Sequence, residues 1–243
     1  MFDHVSLRVP DRAALEPAIA DMLATLGIAR THRSDTASMF GELIVGDADE
    51  QHPVTRGLHI AFVAPTREAV DAFWRAGVAG GLRDNGEPGL RPHYAEGYYS
   101  AYVRDAEGNN LEAVHRDGVR EEGEIDHVTL RVRDLAAATA FYAIVGAAAG
   151  FRVIEESARR TLLQAPDGGV LALLPAGPPT GHVHLAFAAG EAGVRAFHDG
   201  AVAAGHASNG APGERTRYGA GYYAAYVIDP DGHNIEVVAR PRG

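Results

Sequence analysis

Cysteine is absent from this chain, which removes disulfide frameworks, thiolate metal sites and cysteine nucleophiles from consideration. Basic residues are scarce: 22 Lys and Arg stand against 32 Asp and Glu, for a formal charge of −10. That balance argues against nucleic acid or an anionic membrane as the main partner, because both are held by basic patches. No apolar run approaches the roughly 18 residues of a membrane-spanning helix. The first ten residues alternate like a strand and lack the basic and apolar regions of a secretory signal. A cytoplasmic protein with no nucleic-acid or membrane partner is the expectation.

What the chain has in abundance is repetition. Asp3-His4-Val5-Ser6-Leu7-Arg8-Val9 returns as Asp126-His127-Val128-Thr129-Leu130-Arg131-Val132. Gly97-Tyr98-Tyr99-Ser100-Ala101-Tyr102-Val103 returns as Gly221-Tyr222-Tyr223-Ala224-Ala225-Tyr226-Val227. A period this long marks a domain duplication rather than a solenoid. The 243 residues divide accordingly into a first domain over 1–117, a polar and charged linker over 118–125, and a second domain over 126–243. Each half is long enough to bury a core without staples.

Within each half the order strand, helix, short strands is read twice. The stretch from His4 alternates, with Val5, Leu7 and Val9 on one face and His4, Ser6 and Arg8 on the other. Asp11 then reads as a helix N-cap and Gly27 as its stop; the counterpart helix runs from Asp134 to about Gly146. The second part of each half opens on Leu58-His59-Ile60-Ala61-Phe62 and Val183-His184-Leu185-Ala186-Phe187. Helices follow from Thr66 to about Val78 and from Glu191 to about Ala204, and hairpins close each half. Asp105-Ala106-Glu107-Gly108 and Asp229-Pro230-Asp231-Gly232 carry turn residues where a bulged hairpin needs them. Such turns place Tyr102 opposite Glu112 and Tyr226 opposite Glu236, on one sheet face.

Two histidines and one glutamate recur in each half: His4, His59 and Glu112, then His127, His184 and Glu236. Each lies on a strand whose alternate residues are apolar, so each faces away from the helix-packed core. Two imidazoles and a carboxylate hold a divalent metal while leaving coordination positions open. A substrate that chelates the metal there is polarised by it. His182 shares the strand face of His184 and could serve as a substitute ligand or a neighbour to one. The pairs Tyr98-Tyr99 and Tyr222-Tyr223, with Trp74, could line a groove or simply pack the hairpins and helices.

The repeated modules, the Asp-His-Val openings and the closing Tyr-x-x-Asp-Pro-Asp-Gly-x-x-x-Glu of the second half resemble the vicinal oxygen chelate superfamily, over nearly the whole chain. That superfamily includes glyoxalase I, type I extradiol dioxygenases and bleomycin-resistance proteins. The resemblance implies an α+β fold of four βαβββ modules paired into two domains, each a curved mixed sheet forming a metal-binding cup. It carries the metal ligands onto His4, His59, Glu112, His127, His184 and Glu236. It implies a small-molecule substrate that chelates the metal, in a monomer or homodimer. Tandem glyoxalases assemble sites across halves, which here would join His4 to His184 and Glu236; the sequence leaves pairing within or across halves open.

Three activities fit the resemblance. The His-His-Glu set is similar to extradiol dioxygenases, implying Fe2+ or Mn2+, a catechol-like substrate and O2. Tyr102 and Tyr226 then correspond to a substrate-contacting tyrosine, and His93 to an acid/base histidine. The second half has Arg217 and Tyr218 where that histidine is expected, and Ala106 replaces a proline of the pattern in the first. Glyoxalase I-type chemistry implies Ni2+ or Zn2+ and a fourth carboxylate ligand. Glu42 is the candidate for it in the first half, and Val170-Leu171-Ala172-Leu173-Leu174 offers none in the second. A metal-free cup that binds an antibiotic is the third reading, and two intact His-His-Glu sets argue against it.

Overall fold

The computed structural model describes residues 1–116 and 123–241, so most of the expected linker, residues 118–122, lies outside the described residues. The chain forms four modules with one element order. The first is β1 (Phe2–Val9), α1 (Arg12–Ala24), β2 (Arg30–Arg33), β3 (Ala37–Phe40) and β4 (Leu43–Asp47). The second is β5 (His59–Val63), α2 (Arg67–Ala79), β6 (Arg83–Leu90), β7 (Tyr99–Arg104) and β8 (Asn110–His115). The third is β9 (Ile125–Arg131), α3 (Leu135–Ala149), β10 (Arg152–Glu156), β11 (Thr161–Gln164) and β12 (Val170–Leu174). The fourth is β13 (His184–Ala188), α4 (Glu191–Ala203), β14 (Ser208–Glu214), β15 (Tyr223–Ile228) and β16 (Asn234–Ala239). No helix among the described residues is long and apolar enough to cross a membrane.

Local chemistry sets these boundaries. Asp11, Thr66 and Asp134 each cap a helix by accepting a hydrogen bond from the backbone N–H three residues on. Helix α3 runs past Gly146 to Ala149 and ends at Gly150, whose φ of 81° is the left-handed cap. Gly146 is therefore a packing glycine rather than a stop: a Cβ there would meet the Phe151 carbonyl oxygen at 2.5 Å. The closing hairpins pair as the turn residues imply, with Tyr102 opposite Glu112 and Tyr226 opposite Glu236.

The strands form two mixed eight-stranded sheets, in the orders β14-β15-β16-β13-β1-β4-β3-β2 and β10-β11-β12-β9-β5-β8-β7-β6. Strands of the first module thus share a sheet with those of the fourth, and strands of the second with those of the third. Within the sheets β13 runs parallel to β16 and β5 parallel to β8, while β5 runs antiparallel to β9.

By contacts the chain separates into two compact units, Met1–Val5 with Leu130–Gly243, and Ser6–Thr129. These differ from the halves expected from the repeat only near the chain's start and at β9. In the unit formed by Ser6–Thr129, α1 packs against α2; in the other, α3 packs against α4. Each core is rich in phenylalanine: Phe40, Phe62 and Phe73 in the former, and Phe141, Phe187 and Phe197 in the latter, are fully buried. At about 25 cal/mol per Å² of apolar surface removed from water, such side chains dominate the stabilisation of each unit.

Candidate metal centres

Strands β1, β13 and β16 bring His4, His184 and Glu236 together; β9, β5 and β8 do the same for His127, His59 and Glu112. The sets are therefore assembled across the halves of the sequence, and each lies inside one compact unit. In the first, His4 Nε2 lies 3.1 Å from His184 Nε2 and 3.7 Å from Glu236 Oε2, and His184 Nε2 lies 3.1 Å from that oxygen. In the second the matching distances are 3.0, 3.5 and 3.0 Å. Donor atoms about 2.1 Å from one ion stand roughly 3.0 Å apart at right angles and 3.4 Å apart at tetrahedral angles. Both clusters fit that spacing.

The tautomer of one histidine in each cluster fits as well. His4 Nδ1 donates to Asp3 Oδ1 at 2.7 Å, and His127 Nδ1 donates to Asp126 Oδ1 at 2.9 Å. A carboxylate only accepts, so the proton sits on Nδ1 and the Nε2 lone pair of the neutral ring faces the cluster. His184 Nδ1 lies 3.0 Å from both the Asn234 backbone carbonyl oxygen, an acceptor, and the Asn234 side-chain amide nitrogen, a donor. His59 differs: its Nδ1 accepts from the Asn110 side-chain amide nitrogen at 2.7 Å, which puts the proton of the neutral ring on Nε2, 3.0 Å from Glu112 Oε2. Two imidazole Nε2 atoms and a carboxylate oxygen converging at about 3 Å are a donor set that could hold a divalent cation.

Each carboxylate is held from behind. Tyr222 donates to Glu236 Oε1 at 2.7 Å and Tyr98 to Glu112 Oε1 at 2.8 Å, leaving Oε2 for the histidines. Burial works to raise both glutamates, which are only 2% and 1% exposed. The hydrogen bonds and charges of the neighbouring histidines, with the tyrosine bonds, outweigh burial and hold both below the ordinary carboxylate range. For His127, burial works to lower the ring, but the bond to Asp126 and the charge of Glu112 carry it upward. Asp3 is gripped in turn by Arg240, through Nε at 2.7 Å and through Nη2, and Asp126 by Arg116 at 2.8 Å.

Tyr102 and Tyr226 stand beside the clusters. The Tyr226 ring stacks on His184 at 6.3 Å between centroids, and Tyr102 lies against His59 at 6.4 Å. Their surroundings differ at one atom. Ser100 donates to the Tyr102 hydroxyl at 2.8 Å, whereas Ala224 replaces that serine, and the buried Tyr226 hydroxyl has no partner among the described residues. Burial, followed by the charge of the adjacent glutamate, raises both phenols and keeps them hydrogen-bond donors.

The other expected residues lie elsewhere. His93 is exposed and rests on Tyr94 at 4.1 Å between rings, outside the His59, Glu112 and His127 cluster. Arg217 stands at the matching place in the fourth module, over Tyr218. Glu42 takes no part in a cluster: its Oε2 accepts from the backbone N–H groups of Glu124 and Ile125. His182 adopts a positive φ of 55°, where the second module has Gly57, and is not in the His4 cluster. The Tyr98-Tyr99 pair splits, since Tyr99 turns outward to Asp71 on α2, and Trp74 donates to Asp84.

Sequence reasoning missed the roles of Asp3, Asp126, Tyr98 and Tyr222. The Asp-His dipeptides stood in the repeat, and each tyrosine precedes its glutamate by the same interval in both halves.

Residues 124–237 match the profile of the Glyoxalase/Bleomycin resistance protein/Dioxygenase superfamily. Among solved structures, glyoxalase I from Zea mays is 18% identical, with 98% of this chain and 92% of that one covered at a TM-score of 0.68. A glyoxalase/bleomycin resistance protein from Albidiferax ferrireducens is 31% identical over 48% of this chain and 99% of its own, at a TM-score of 0.44. A search of curated protein sequences finds no match. The profile covers the second half directly, and the first half repeats its motifs and element order. Residues 124–237 of the chain belong to the glyoxalase/bleomycin resistance protein/dioxygenase superfamily.

Proposed function

We propose that the protein is a divalent-metal enzyme of the extradiol-dioxygenase type, with one site in each compact unit. The observation that carries this reading is the donor set: two imidazole Nε2 atoms and one carboxylate oxygen, with no fourth carboxylate joining either cluster among the described residues. His4, His184 and Glu236 hold one ion; His127, His59 and Glu112 hold the other. Fe2+ or Mn2+ suits such a set, and the bound ion supplies Lewis-acid and oxygen chemistry to a chelating catechol-like substrate.

The chain's own groups do the rest. Asp3 and Asp126 keep the proton on Nδ1 and so aim the Nε2 lone pairs inward. Tyr222 and Tyr98 orient the glutamates. Tyr226 donates its unpartnered hydroxyl to a substrate oxygen, and Tyr102 does so while accepting from Ser100. Buried sheet residues around each carboxylate exclude water and strengthen these interactions.

The test is ring cleavage across a catechol panel after anaerobic loading with Fe2+ or Mn2+. Coloured product in the wild type, lost only when both Glu236 and Glu112 are replaced by alanine, supports the proposal. Silence across the panel with metal loaded counts against it.

A second reading is a glyoxalase I-type isomerase. Assembly of each site from modules of both halves favours it, as does fold similarity to the maize enzyme along almost the whole chain. That reading requires turnover with Ni2+ or Zn2+ and no dependence on oxygen.

A further inference from the structure

One side chain beside each cluster has no role in the reading above. Arg215 lies over the Tyr226 ring, with Cζ 5.5 Å from its centroid, and Arg91 lies over Tyr102 at the same distance. Each tyrosine also stands against a cluster histidine. In the sheet order the strand leading to the arginine (β14 or β6) lies on one side of the tyrosine strand while the histidine strand (β13 or β5) lies on the other, so the order in both units is guanidinium, phenol, imidazole. The strand beneath is cut away to make room. A Cβ at Gly210 would meet Tyr226 at 2.8 Å and Arg215 Nη2 at 3.4 Å, and one at Gly213 would meet Arg215 Nη1 at 3.2 Å. At Gly86 and Gly89 a Cβ would meet Tyr102 at 2.8 Å and Arg91 Nη1 at 3.1 Å.

Each guanidinium is pinned by Nη2 to a backbone carbonyl at 2.6 Å, Ala211 for Arg215 and Glu87 for Arg91. Neither meets a carboxylate among the described residues, although the chain is acidic overall and Arg116 and Arg240 close by are both paired. Most of the five N–H donors of each fork are left for something else.

We infer that Arg215 and Arg91 are specificity residues that receive an anionic arm of the substrate, a carboxylate or a phosphate, while its other oxygens meet the metal. This deepens the proposed function and rests on its metal sites. A planar fork held flat on an aromatic ring loses little freedom when it binds a bidentate oxyanion, which suits arginine better than lysine. The substrate class is thus a vicinal-oxygen chelator bearing a negative group on the side of the Tyr226 or Tyr102 ring remote from the cluster histidine.

The experiment uses full-length protein loaded with Mn2+, with metal content measured first. Catechol, 3,4-dihydroxybenzoate and 3,4-dihydroxybenzylphosphonate are then titrated calorimetrically into wild type and into R91Q/R215Q. The wild type should bind at least one anionic chelator about ten-fold or more tightly than catechol, as expected of charge-assisted hydrogen bonds. In R91Q/R215Q that preference should vanish while Mn2+ content and catechol affinity stay unchanged. Whether the carboxylate or the phosphonate gains more identifies the arm. Equal affinity for neutral and anionic chelators in the wild type, or a preference that survives the substitutions, overturns the inference while leaving the metal sites standing. Loss of Mn2+ and catechol binding in the variant makes the arginines struts for the ring stack and overturns it too. A wild type that takes up no Mn2+ removes the proposed metal sites, and this inference with them.

Discussion

His4 Nε2 and His184 Nε2 lie 3.1 Å apart across 180 residues of chain. His59 and His127 repeat the relationship at 3.0 Å. Each pair joins the first strand of one module to the first strand of another, so mutations that look unrelated in sequence fall on one site.

This pairing predicts a pattern of metal loss. H4A/H184A should empty one site and keep about half of the bound metal, whereas H4A/H59A should empty both. Elemental analysis of the two double variants checks it. The opposite pattern would mean that the ligands pair within the halves.

Asp3→Asn and Asp126→Asn remove the acceptor that holds a ligand histidine. Each should weaken metal binding at its own site by about 10–100-fold without unfolding the protein. Competition with a metal-sensitive dye reads the affinity, and circular dichroism the fold. An unchanged affinity would show that neither aspartate orients its histidine.

Tyr222→Phe should destabilise the metal-free protein by about 1–3 kcal/mol, because Glu236 Oε1 is buried and loses its donor. Tyr98→Phe should do the same through Glu112. Urea unfolding of the metal-free variants measures both. A cost near zero would mean that water replaces the phenol.

His233, whose Nδ1 accepts from the backbone N–H of Val183, carries a pH signature of its own. It is fully buried, and burial holds its ring below the ordinary imidazole value against the charge of Asp229. Its Nε2 has no partner among the described residues. In the unfolded chain the ring gains a proton as pH falls through about 6.5, while in the folded chain it stays neutral until lower pH. Folding is therefore weakened on acidification, by up to about 1.4 kcal/mol per pH unit in that window. Asn109 fills the matching place in the second module, donating to Thr55 and Asp105. H233N should lose this acid sensitivity between pH 7.5 and 5.5; parallel stability curves for variant and wild type would refute the assignment.

The sequence by itself determined the modules, the helix caps and the hairpin register, because these rest on contacts between residues near one another in the chain. Asp11 caps the helix that follows it, and Gly108 and Gly232 set the turns that place Tyr102 and Tyr226 opposite their glutamates. The residue types of the candidate metal sites were legible too, since they recur on amphipathic strands. Their grouping was not. Whether His4 belongs with His59 or with His184 depends on which strand edge β1 pairs with, and backbone hydrogen bonds between strands do not record the partner in the side chains. The tertiary structure alone decided that pairing. It also turned Tyr98 to its glutamate and Glu42 to backbone amides, because those contacts arise only when distant strands and loops come together.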